Sequence, residues 1–178
     1  MPITFQDGDI LLCKGDSAIS RLIKWETDSI YSHVAVIASA NLGLVIEAVP
    51  EGGVRAISIE NYKTDFDTFR VKDENSFVHT DVVAYLVRTL ARHYDYPVKL
   101  GFQMLVRKLK LVQLFGLKMF NQKKEAKALQ DDQDYFCSEL CWEAFAADGL
   151  DLAPQIGSLD IVSPGDIAAS PMLIEVDK

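Results

Sequence analysis

The sequence is poor in the residues that staple or anchor a small protein. It has three cysteines among 178 residues. An odd count in a chain of that length is not a disulfide framework, and a reducing cytoplasm is the expected compartment. No uninterrupted apolar run reaches the roughly 18 residues that a membrane span needs. The opening residues, MPITFQDGDI, lack a basic stretch followed by an apolar one, so no secretory signal is expected. Basic residues are scarce: 18 Lys and Arg against 26 Asp and Glu leave a net charge of −8, which excludes a general nucleic-acid binder. Internal repeats and low-complexity tracts are also missing.

What remains is an ordinary globular composition, 49% hydrophobic and 25% charged, which excludes disorder. A chain this long buries about 70% of its unfolded surface, so it needs no metal or disulfide staple. One domain over residues 1–178 and no cofactor are expected. Composition leaves the oligomeric state open.

The charge is unevenly spread. Residues 99–127 hold eight Lys and Arg against the single acid Glu125, a local charge of +7 that leaves the rest at −15. Within residues 98–120, Phe102, Leu105, Val106, Leu109 and Val112 fall at helical spacing, with Lys99, Gln103, Arg107 and Lys110 on a polar stripe. The segment at about 98–127 therefore reads as a basic amphipathic helix. It suits either a core helix with its basic side in water or a lid or membrane-surface helix that meets anionic headgroups. The second reading places the protein peripherally at the inner membrane face.

The first half reads mostly as strands and the second as helices, which predicts an α+β fold. Asp9–Cys13, His33–Ser39, Leu44–Val49, Val54–Ile59, Phe66–Val71 and Leu173–Val176 are apolar or β-branched runs bounded by turn residues. Helices are predicted from an Asp16 cap to Thr27, from a Thr80 cap to about Tyr94 with Pro97 beyond, and over Tyr135–Asp148 with Asp134 as N-cap and Gly149 at the end. Pro164 opens a last short helix.

Cys137 is the residue with most chemical promise. In the first turn of a helix, free N–H groups and the helix dipole favour a thiolate. Cys141 and Cys13 read as core thiols. A Cys-x3-Cys pair combined with His33, His79 or His93 lacks the tighter spacings of zinc sites, so no metal is expected.

His33 and Glu47 sit in strands that are otherwise apolar on both faces, where titratable groups are rarely buried alone. The intervening turn brings them together. Centred on residue 40 it puts His33 opposite Glu47; centred on 41 it puts Ala35 opposite Glu47 and His33 on the same face one step away. A carboxylate on one ring nitrogen fixes the tautomer and leaves the other nitrogen for a thiol. A purely structural His–Glu pair is the competing reading.

Five blocks now stand in order: Gly8-Asp9-Ile10-Leu11, Tyr31-Ser32-His33-Val34-Ala35-Val36, Val45-Ile46-Glu47-Ala48, Tyr94-Asp95-Tyr96 and Tyr135-Phe136-Cys137-Ser138-Glu139-Leu140. Together they resemble the YiiX/YebB-like group, permuted members of the NlpC-type papain-fold cysteine hydrolases. The resemblance implies a circularly permuted papain-like fold, with a small antiparallel sheet or partial barrel packed on helices. It implies a triad of Cys137, His33 and Glu47 acting on an amide, of cell-wall peptide type or related, or on an ester through a thioester. Ser138 is a candidate oxyanion donor, and Tyr31, Tyr94 and Tyr135 are candidate cleft residues, with packing as their alternative. A lipid-directed acyltransferase or phospholipase-like enzyme, and a non-catalytic peptide- or lipid-binding module, are the rival expectations.

Overall fold

The computed structural model describes residues 4–50, 52–72, 78–93, 136–156 and 162–176. The basic segment at 98–127, and with it Tyr94 and Tyr135, lies outside the described residues. Six strands are present: β1 (Ile10–Cys13), β2 (His33–Ser39), β3 (Leu44–Val49), β4 (Gly53–Ser58), β5 (Phe66–Val71) and β6 (Leu173–Val176). They form one antiparallel sheet in the order β4-β3-β2-β1-β5-β6. The helices are α1 (Ala18–Thr27), α2 (His79–Arg88), α3 (Cys137–Ala146) and α4 (Pro164–Ala168), and a 3-10 turn spans Ile59–Asn61. The fold is thus α+β with an antiparallel sheet. No helix among the described residues is long and apolar enough to cross a membrane.

The position of β1 follows from its composition. Its four residues, Ile-Leu-Leu-Cys, carry no polar group to turn outward, and all are fully buried between β2 and β5. Ile10 and Leu12 face the main core, where Val34, Val36 and Ile46 meet Val82 and Leu86 of α2, Leu140, Ala144 and Phe145 of α3, and Ile167 of α4. Leu11 faces the other way, into a smaller cluster with Ala35, Ile37 and Val45 that Phe5, Ile57, Ile59, Tyr62 and Phe66 cover. Burying apolar area on both faces, at about 25 cal/mol per Å², is what makes this strand the axis of the sheet.

The Gly8-Asp9 pair serves that axis. Gly8 takes φ +86° and donates its N–H to the Ile37 carbonyl at 2.8 Å. The buried Asp9 carboxylate receives Arg70 Nε and Nη2, each at 2.7 Å, and the Gln6 N–H at 2.8 Å. A two-pronged pair of this kind leaves the buried charge compensated and fixes the entry to β1.

Three helix boundaries differ from expectation. α1 is capped by Ser17, whose Oγ accepts the Ser20 N–H at 3.0 Å, one residue after the expected Asp16. α3 starts at Cys137 rather than Tyr135, with Phe136 extended at the N-cap and its N–H directed to Glu139 Oε2 at 3.4 Å. α2 begins at His79 and stops at Arg88, well short of Tyr94, so His93 falls outside it. The cause is tertiary. Ala91 donates to the Val54 carbonyl and Val54 to the Arg92 carbonyl, both at 2.9 Å, which pulls the chain out of the helical path, and Ala91 adopts φ +66°.

That same contact makes Gly53 irreplaceable. Its φ is +62°, and a Cβ there would lie 2.1 Å from the Arg92 carbonyl oxygen. Its neighbour Gly52 has room, with nothing nearer than 3.5 Å. Gly53→Ala is expected to cost about 2 kcal/mol or more, a fall in Tm of roughly 4–8 °C, and Gly52→Ala to move Tm by less than about 2 °C. Thermal melts of the two variants side by side check this.

Candidate active site

The site forms where the start of β2 meets the start of α3. The β2–β3 ladder pairs Ala35 with Glu47, the second of the two registers expected, and an irregularity between Ile37 and Ser39 lies on the turn side of both site residues. His33 therefore sits one step from Glu47 on the same face. Its Nε2 donates to Glu47 Oε2 at 2.7 Å. The Cys137 thiol lies beside the same ring, close enough for the two to interact by charge and hydrogen bonding. The structure thus brings Cys137, His33 and Glu47 together from α3, β2 and β3.

Cys137 is the first residue of α3, where N–H groups have no helical acceptor. The backbone N–H groups of Ser138 and Val34 both point at its sulfur. Burial by itself would raise the thiol. The adjacent His33 and these two N–H donors outweigh it and hold Cys137 below the ordinary thiol range. Burial likewise disfavours the imidazolium, but the Cys137 thiolate and Glu47 push His33 up to about 10. The two shifts share one cause: the charged form of each partner favours the charged form of the other.

Glu47 is only 3% exposed, and burial opposes its charge. His33 and Arg55 nevertheless bring it down to about 2. Its two oxygens divide the work. Oε1 accepts Arg55 Nε at 2.9 Å and Nη2 at 2.7 Å. Oε2 accepts His33 and the Tyr62 hydroxyl, the latter at 3.2 Å. The Tyr62 oxygen is in turn 3.1 Å from Cys13 Sγ. The charge and hydrogen-bonding needs of the carboxylate are met in full.

Arg55 and Tyr62 were not among the residues singled out from sequence. Arg55 depends on the exact register: the ladder pairs Val49 with Gly53 and so sets Glu47 opposite Arg55, whereas a turn centred on Gly52-Gly53 would set Ser58 there. Tyr62 follows a 3-10 turn that no periodicity announces.

The other expected site residues are placed as follows. The Ser138 hydroxyl donates to the Val162 carbonyl at 2.8 Å, so only its backbone N–H is turned to the sulfur. Tyr31 is buried edge-on against Phe69 and gives its hydroxyl to Asp67 Oδ2 at 2.8 Å, which also binds Lys14 Nζ at 2.6 Å. Its hydroxyl is thus spent in the core rather than in a cleft. Burial pushes Cys13 up to about 12, and raises Cys141 too.

No protein-family model and no curated protein matches the chain. Among solved structures it is similar to the crystal structure of metalloprotein YiiX from Escherichia coli O157:H7, DUF1105, with a TM-score of 0.67 and 20% identity over 99% of this chain and 98% of that one. "Metalloprotein" describes that protein. Among the described residues here, no group of three or more His, Cys, Asp or Glu side chains is placed to hold a metal ion, and both Glu47 oxygens are engaged by donors of this chain. At that identity the likeness speaks for architecture, and over nearly its full length the chain has a YiiX-like fold.

Proposed function

We propose that the chain is a cysteine hydrolase or acyltransferase of the circularly permuted papain-like, NlpC-type kind, acting on an amide or ester carbonyl. One observation carries the reading: His33 stands between Glu47, at 2.7 Å, and a thiol at a helix N-terminus that also receives two backbone N–H groups. A purely structural His–Glu pair has no need of that thiol. The chain order His, Glu, Cys is the one a permutation produces, and such triads are defined by geometry and not by order.

In the proposed reaction the Cys137 thiolate attacks the carbonyl carbon. The negative charge that builds on the oxygen is met by orphan N–H groups at the start of α3, each worth about 3–4 kcal/mol in such sites. As the tetrahedral adduct collapses, His33 gives its proton to the departing amine or alcohol and the acyl group remains as a thioester. His33 then takes a proton from water or an acceptor amine, whose oxygen or nitrogen displaces the thiol. Glu47 holds the ring in the tautomer that leaves its second nitrogen toward sulfur throughout.

A second reading, a lipid-directed version of the same chemistry, is favoured by one observation. The helix α1 joins β1, which ends at Cys13, to β2, which begins at His33. It turns Ile19, Leu22 and Trp25 outward, with Ile30 just beyond, and all four are exposed. Exposed apolar side chains of this kind suit an acyl chain or a headgroup interface. Amide-bearing wall-type peptides remain the leading substrate class.

The direct test is the rate of Cys137 alkylation against pH, read by peptide mass spectrometry. In the wild type, reaction is expected to persist well below pH 8.5. His33→Ala is expected to move the midpoint up to about 8.5, the value of a free thiol, or above it, since burial is then opposed only by backbone donors. Cys137→Ala is expected to reduce turnover of an amide or ester substrate by about 10³-fold or more with Tm retained. Turnover that survives in this variant would overturn the proposal. For the lipid reading, replacing Leu22 and Trp25 together by Ser is expected to weaken sedimentation of the full chain with anionic vesicles about tenfold or more. Unchanged sedimentation would leave the peptide reading alone.

A further inference from the structure

We infer that Arg55 is a positioning residue of the candidate site, keeping Glu47 ionised and aimed at His33 and so setting the acid limit of the thiolate–imidazolium pair. Its kinetic half rests on the reading of Cys137 as a nucleophile; its electrostatic half rests on geometry alone.

The argument begins with a charge count. Cys137 as thiolate, His33 as imidazolium and Glu47 as carboxylate sum to one negative charge in a region where Cys137 and Glu47 are buried. Arg55 brings the sum to zero. Its contact is specific. Nε and Nη2 both fall on Oε1, leaving Oε2 to His33 and Tyr62. The guanidinium therefore fixes the rotation of the carboxylate as well as its charge, which the point charge of a lysine cannot do.

The groups that face Glu47 are few. His33 comes from β2, Arg55 from β4, and Tyr62 from the turn after β4. Cys13 of β1 reaches it through Tyr62, and Cys137 of α3 through His33. The Tyr62 hydroxyl and the Cys13 thiol are both pushed upward by burial and stay neutral across the working range. They offer dipoles. Apart from His33 itself, Arg55 is the cation that these contacts supply among the described residues.

Without Arg55, a carboxylate this buried meets its environment most easily by binding a proton. A protonated Glu47 no longer supports the imidazolium, and the dyad then loses its ion pair at low pH. The sign follows from linkage. A depressed carboxylate pKa gives an interaction that is full above the unfolded value and lost as pH falls through the folded one. Raising the folded value brings the loss to a higher pH.

The experiment uses the full chain labelled with ¹³C at the Glu carboxyls. Glu47 is assigned by its loss in Glu47→Gln. Its NMR titration and the pH profile of Cys137 alkylation are recorded for the wild type, Arg55→Met and Arg55→Lys. In the wild type the Glu47 midpoint is expected near 2. In Arg55→Met it is expected above the ordinary carboxylate range, with the acid limb of alkylation rising beside it. At pH 7.5, where Glu47 stays ionised in either case, the fall in rate is expected to be smaller than on the acid limb, because only the aim of the carboxylate is then lost. Arg55→Lys should restore the midpoint in part.

A Glu47 midpoint that does not move in Arg55→Met overturns the inference. So does alkylation that falls equally at every pH, the mark of a merely structural role. If Arg55→Met does not fold, Arg55→Gln, which keeps N–H donors without charge, carries the same test. A wild-type Cys137 that alkylates as a free thiol overturns the nucleophile reading instead, and the Glu47 titration then decides Arg55 by itself.

Discussion

The structure around the site depends on keeping one carboxylate charged where water cannot reach it. Glu47 lies in β3 with 3% of its surface exposed. An unpaired charge there would cost several kcal/mol, and the group would neutralise itself first. Every element near it answers that demand. β2 brings an imidazole to one oxygen, β4 brings a guanidinium to the other, and the chain beyond β4 returns Tyr62 to the first. Two hairpins with fixed registers are needed for this, Ala35 with Glu47 on one side and Glu47 with Arg55 on the other. A slip of one residue in either would turn a partner to the opposite face.

The constraint reaches further than the contacts. Gly53 begins β4 in a left-handed conformation that admits the Arg92 carbonyl, and the register that sets Arg55 against Glu47 starts at that residue. The Gly8 turn and the Asp9–Arg70 pair fix the entry of β1, which carries Cys13 to Tyr62 and lies directly beside His33 in the ladder. Residues that touch no part of the dyad therefore determine whether its ring is aimed.

Much of this was legible in the sequence because strands obey a period of two. The runs His33–Ser39, Leu44–Val49, Phe66–Val71 and Leu173–Val176 have the predicted limits. The meeting of His33 with Glu47 followed from turn arithmetic, whereas the same arithmetic centred on Gly52-Gly53 sets Ser58 opposite Glu47, and only the observed register, Val49 with Gly53, sets Arg55 there. What was not legible depended on contacts between distant segments. Helical periodicity continues past Arg88, yet Val54 claims the Ala91 and Arg92 backbone groups and ends α2 early. A capping side chain at Asp134 looked natural for α3, yet the helix opens two residues later, which makes Cys137 its first residue. Tyr62 is invisible to pattern because a 3-10 turn sets its direction. Tyr31 reads from its block as a candidate cleft residue, but the partner of its hydroxyl, Asp67, is 36 residues away.

The three cysteines show why burial and position do not by themselves make a nucleophile. All three are buried and all are free thiols. Cys141 lies one turn along the same helix as Cys137, and burial together with the neighbouring thiolate drives it upward. Cys13 lies across the ladder from His33, has a hydroxyl at 3.1 Å, and is still pushed up to about 12. Cys137 shares their burial and differs in its partners: an imidazolium and two backbone N–H groups directed at sulfur. The imidazolium is the larger of these influences, and it persists because Glu47 supports it. The helix N-terminus contributes donors, while the sheet contributes the charge. Each part of the site is thus ordinary when taken separately, and the depressed thiol is a property of α3 docked on the β2–β3–β4 hairpins, not of either one.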